Sequence, residues 1–165
     1  MGRRIFFFLS AIFLMSCTNN TESAMGKIEE QFKLSLKALT NSQNINSDIY
    51  MVIPRAGCSA CISTAEKYMM DKLKNPIKNP SVKFILTDFD SQKMLRARFG
   101  NLFKSEQLII DPENIFKSNK SLKSLYPTIY FFDKSSRLIQ VSEVSPGKDG
   151  IADIAIYSNN KLVLK

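Results

Sequence analysis

Cys58 and Cys61 bracket the run Cys58-Ser59-Ala60-Cys61, a spacing that lets two sulfurs close a small ring and open it again. In such a pair the first sulfur, as a thiolate, attacks a foreign disulfide, and the second resolves the mixed disulfide that results. Little else in the chain competes for chemistry. The 165 residues contain no His, which removes Ser-His-Asp triads, Cys-His pairs and histidine-ligated metals. Zinc would need two more ligands, and Cys17 is the one cysteine left over, so neither a metal nor a cofactor is expected. A purely structural disulfide is the competing reading, since oxidising compartments preserve such bonds. Bridging positions this close in sequence removes little entropy from the unfolded chain, so a bond of that kind would add little stability.

Redox work requires the pair at the start of a helix, and the flanking residues supply one. Ile49-Tyr50-Met51-Val52-Ile53 is a continuous apolar run ended by Pro54, which suits a strand buried on both faces. Arg55-Ala56-Gly57 turns the chain, after which Cys61, Ala65, Met69 and Leu73 recur every fourth residue up to Asn75-Pro76. Unpaired N–H groups and the positive end of the helix dipole favour a thiolate at Cys58, and Arg55 adds a positive charge nearby. Cys61 shares the apolar side with Ala65 and Met69 and is expected to be the more buried sulfur.

The remaining patterns build the support. Ile28, Phe32, Leu36 and Leu39 mark an amphipathic helix that stops in the polar stretch Asn41 to Asp48. Val82 to Thr87, Leu108 to Ile110, Thr128 to Phe132 and Leu138 to Val144 read as strands, the last two joined into a hairpin by the polar turn Asp133 to Arg137. Met94 to Phe103 reads as a helix. So does Glu113 to Leu125, opened by Asp111 as cap and Pro112 at its first position. Ile151 to Tyr157 suggests a short helix and Lys161 to Leu164 a terminal strand. Alternating strands and helices followed by a hairpin predict a one-domain α/β sandwich with a mixed sheet. Lys117, Lys120 and Lys123 read as a solvated basic face, and Tyr50, Tyr68 and Tyr130 as core or rim residues.

The N-terminus carries an address. Met1-Gly2-Arg3-Arg4 precedes the apolar stretch Ile5 to Met15, too short to span a bilayer and of the length of a secretory signal. Leu14-Met15-Ser16-Cys17 resembles the lipobox of bacterial lipoproteins, in which the cysteine is diacylated on sulfur and exposed by cleavage, although Met15 departs from the small residue usual there. On this reading residues 1–16 are the signal peptide, 17–26 a lipidated tether and 27–165 the folded domain. Loss of Arg3 and Arg4 lowers the formal charge from +8 to +6. Acyl chains on Cys17 would hold the protein to a membrane without help from that charge. Thr18 stands where an Asp retains some bacterial lipoproteins at the inner membrane, so the resemblance points to the outer one. The expected location is the periplasmic side of a bacterial cell envelope, away from nucleic acid.

Tyr126-Pro127-Thr128 opens the strand Ile129 to Phe132 about seventy residues after the cysteine pair. Strand, C-x-x-C, helix, strand, helix and then a proline at the head of a hairpin resembles the thioredoxin-like family, especially its extracytoplasmic lipoproteins, over roughly Ile49 to Val144. The resemblance implies a three-layer sandwich with a mixed central sheet and, in this chain, an added N-terminal helix. It also implies a cis peptide at Pro127, which with Tyr126 and Arg55 would border the substrate polypeptide. Gly57 departs from the aromatic residue familiar before the first cysteine, and Val52 from the buried acid beneath it. The implied activity is a thiol-disulfide oxidoreductase with Cys58 as nucleophile and Cys61 as resolving thiol. Its partners would be exported proteins bearing thiols or disulfides, and an electron donor or acceptor. The alternative is a non-catalytic binding lipoprotein that keeps Cys58–Cys61 as a fixed disulfide.

Overall fold

The computed structural model describes residues 19–42, 44–75 and 81–163. The signal segment and Cys17 lie outside them. The chain runs α1 (Asn19–Thr40), β1 (Ile49–Pro54), α2 (Ser59–Lys74), β2 (Val82–Thr87), α3 (Gln92–Phe99), β3 (Leu108–Ile110), α4 (Ile115–Ser118), β4 (Thr128–Phe132), β5 (Leu138–Ser145), β6 (Lys148–Asp149) and α5 (Gly150–Val163). One mixed sheet has the order β3-β2-β1-β4-β5-β6. β1, β2 and β3 are parallel, joined by helical crossovers, while β4 and β5 return antiparallel as the hairpin. Pro54 closes β1 opposite Thr87, beyond the last residue paired with β4, so its missing N–H interrupts no ladder on that side.

Alternate strand residues feed two cores, one on each face. Ile49, Met51, Ile53, Phe84, Leu86, Ile129 and Phe131 meet Ala65, Met69 and Leu73 of α2, Leu95 of α3 and Ile154 of α5. Tyr50, Val52, Ile85, Tyr130 and Phe132 meet Phe32 and Leu36 of α1 and Phe116 of α4. The result is the expected three-layer α/β/α sandwich with an added N-terminal helix.

Four stretches differ from the sequence reading. α1 starts at Asn19, inside the stretch read as a tether, because Met25 as well as Ile28 packs on the second core and a helix seeded there propagates backward cheaply. Met94 to Phe103 divides at Gly100, whose φ of 54° ends α3 and starts a 3₁₀ turn. Glu113 to Leu125 is helical only over Ile115–Ser118. Asp111 caps this turn from further back than expected, its carboxylate accepting from Ile115 and Phe116 N–H (both 2.9 Å), and Asn119 then takes the backbone out of helix. Lys161 to Val163 continue α5 rather than forming a strand.

Candidate active site

Cys58 occupies the N-cap of α2 in extended backbone (φ −68°, ψ 102°), and its Sγ accepts the Cys61 N–H at 3.3 Å. The two cysteines are disulfide-bonded with Cα atoms 5.3 Å apart. Cys58 is half-buried, whereas Cys61 is 8% exposed and sits in the first core with Ala65 and Met69. The asymmetry follows from the helix: Cys61 lies one turn in, on the face turned to the sheet. Cys58 faces the rim.

Gly57 brings the second motif to the first. Its φ is +142°, and a Cβ placed there would lie 2.0 Å from the Leu125 carbonyl oxygen. The bare backbone lets residues 124–127 close over the cysteine turn, where Cys58 N–H donates to that carbonyl at 3.2 Å. The approaching loop is itself held: Tyr126 N–H donates to Ser124 Oγ at 3.0 Å, Thr128 Oγ1 to the Tyr126 carbonyl at 3.1 Å, and Val144 N–H to the Pro127 carbonyl at 2.9 Å. Pro127 is buried; Tyr126 is half-buried and packs on the same core as Cys58. Sequence reasoning singled out Pro127 and Tyr126 but treated Gly57 only as a departure and passed over Leu125. A small residue immediately before a C-x-x-C was the available signal.

Arg55 is exposed and lies 3.5 Å from the carboxylate of Asp90, which shares its charge. Val52 is buried among apolar side chains of the second core. A fully buried carboxylate does occur at Asp111, at the end of β3, but the Thr87 hydroxyl (2.8 Å) and the two α4 amides satisfy it as a structural cap. The tyrosines belong to the cores or their rims. Burial pushes the Tyr68 phenol up to about 12 and raises those of Tyr50 and Tyr130 as well. Among the described residues no three His, Cys, Asp or Glu side chains gather into a metal site.

No family model matches the chain, and no curated protein matches it. Among solved structures it is similar to the crystal structure of the pneumococcal exposed lipoprotein thioredoxin from Streptococcus pneumoniae. The two share 21% identity over 58% of this chain and 73% of that one, with a TM-score of 0.35. The fold rests on the chain's own topology. Three parallel strands, an antiparallel closing hairpin, helices on both faces and a C-x-x-C that begins at the N-cap of the helix after β1 give the domain a thioredoxin-like fold.

Proposed function

We propose that the protein is a lipid-anchored, extracytoplasmic thiol-disulfide oxidoreductase acting on exported proteins. The observation that carries this reading is the Cys58–Cys61 pair at the start of α2 with the Leu125–Pro127 loop hydrogen-bonded onto it. In the reductive direction the Cys58 thiolate attacks a substrate disulfide, forming a mixed disulfide and releasing one substrate thiolate. Cys61 gives up its proton and attacks Cys58 Sγ, closing the Cys58–Cys61 bond and releasing the second thiolate. The substrate gains two electrons, the pair loses two, and an external dithiol restores it. Pro127 and Tyr126 border the substrate chain in this scheme, and Arg55 contributes positive charge at the rim. Reduction or isomerisation of exported proteins is the direction that the family resemblance favours.

Titration of the pair against a glutathione series tests the activity. Rapid equilibration at a potential above about −300 mV is the expected result, and a lower potential with slow exchange would instead mark a fixed structural bond. The anchor rests on Leu14-Met15-Ser16-Cys17. Fatty-acid labelling should be lost in Cys17→Ser, and labelling that persists would remove the lipid from Cys17.

A further inference from the structure

Beside the cysteine turn a groove opens on the sheet face opposite α2 and α3. Val52, Phe116 and Leu122 of the second core form its floor, and Ala56, Leu125 and Tyr126 form the wall next to the cysteine turn. Its volume of about 190 Å³ falls below the ~300–1,000 Å³ typical of small-molecule and cofactor sites, which leaves room for one large side chain. The lining is mostly apolar, Thr87, Ser124 and Thr128 aside, and the wall carries Leu125, 61% exposed, so that side chain should be apolar too.

The rim carries a net positive charge. Lys117, Lys123 and Asp88 border the groove, and the Asp88 carboxylate is held by Lys117. Among the described residues no carboxylate lies within ion-pair distance of Lys123. Its backbone is nevertheless fixed, with Lys123 N–H donating to the Asn119 carbonyl at 2.9 Å and the neighbouring Leu122 buried. The site therefore pairs a mostly apolar floor with a cation that no carboxylate among the described residues neutralises. Leu125 belongs to the groove while its carbonyl binds Cys58 N–H, so the groove adjoins the cysteine turn.

We propose that this groove selects the substrate: a disulfide-bearing polypeptide with a large apolar side chain beside an acidic residue, close to the reacting cysteine. The apolar side chain covers Val52, Phe116 and Leu122, and the carboxylate meets Lys123. The proposal rests on the oxidoreductase reading and adds the chemistry of its substrate.

The test uses the reduced full-length protein and four peptides, each carrying one cysteine as its glutathione mixed disulfide and differing only in the adjoining pair: Phe-Asp, Phe-Lys, Ala-Asp or Ala-Lys. The Phe-Asp peptide should exchange about tenfold faster than Ala-Asp, the scale of burying one aromatic side chain incompletely. It should exceed Phe-Lys about threefold, the scale of one exposed ion pair, with that margin vanishing toward ~1 M salt. Lys123→Glu should invert the Asp-over-Lys order and keep the Phe-over-Ala order, ratios that do not depend on the fraction of protein folded. Equal rates for all four peptides, or an unchanged order in Lys123→Glu, would overturn the groove's role while leaving the exchange activity standing. Failure to exchange with any peptide and with glutathione disulfide itself would overturn the activity, and the groove's role with it.

Discussion

At Gly57 the backbone of one loop lies against the backbone of another, and the absent side chain is what permits it. The φ of +142° is strained for any L residue with a Cβ, and that Cβ would collide with a carbonyl rather than a yielding side-chain tip. Gly57→Ala should therefore lower the stability of the oxidised protein by about 3 kcal/mol, through strain and displacement of the Leu125 carbonyl. The neighbouring exposed Ser59→Ala should stay within about 0.5 kcal/mol of the parent. Urea unfolding measures both; a Gly57→Ala protein as stable as the parent would mean that the two loops do not close on each other. The nearness of Cys58 and Cys61 was legible from their spacing, and the unequal burial of the two from helical periodicity. The Gly57–Leu125 contact was not, because it joins residues distant in sequence and leaves no local pattern. Asp111 was legible as a cap but not as a buried one, since its partners Thr87 and Phe116 meet it only in the tertiary fold.

Among the elements, α1 is the addition that covers the second face of the sheet. Phe32 reaches four rings, with centroids 5.2 Å from Tyr50, 5.4 Å from Phe116, 4.7 Å from Tyr130 and 5.2 Å from Phe132. Glu29 fastens the helix to the hairpin: its carboxylate accepts from Lys33 Nζ at 2.6 Å and from Leu138 N–H at 2.9 Å. Burial works to raise its pKa, but the Lys33 and Leu138 hydrogen bonds outweigh that and hold it below the ordinary value of 4.5. A lowered folded pKa means that this group's stability is fully present above the unfolded value and lost as pH falls through the folded one. Glu29→Gln should thus cost about 1 kcal/mol at pH 7 and progressively less as the parent's carboxylate protonates. A cost that stays constant from neutral into acid would show that shape, not charge, is lost. β1 to β5 were legible nearly to the residue, β1, β2 and β4 because each is a short apolar run facing two cores; β6, two exposed charged residues, left no such run, and Lys161 to Val163, read as a strand, continue α5. The helix ends were not. The length of α1 depends on Met25 meeting the second core, and the shortness of α4 on side chains of Asp111 and Asn119 competing for its backbone, neither of which shows as a period.

For the whole molecule, the two-faced sheet puts the cysteine turn and the loop before β4 at the ends of adjacent strands, β1 and β4. The core residues behind them are divided between α2 with α5 on one side and α1 with α4 on the other. That arrangement leaves Cys58 at the rim and draws Cys61 inward, and under the proposed mechanism the two sulfurs consequently have different jobs. The direct measurement is trapping of mixed disulfides with a disulfide-bonded substrate protein, using Cys61→Ala and Cys58→Ala side by side. In Cys61→Ala the attack proceeds and nothing resolves it, so a covalent complex should accumulate on non-reducing gels and disappear on reduction; Cys58→Ala should trap almost none. Equal trapping by the two variants, or faster alkylation of Cys61 than of Cys58 in the reduced protein, would contradict the assignment.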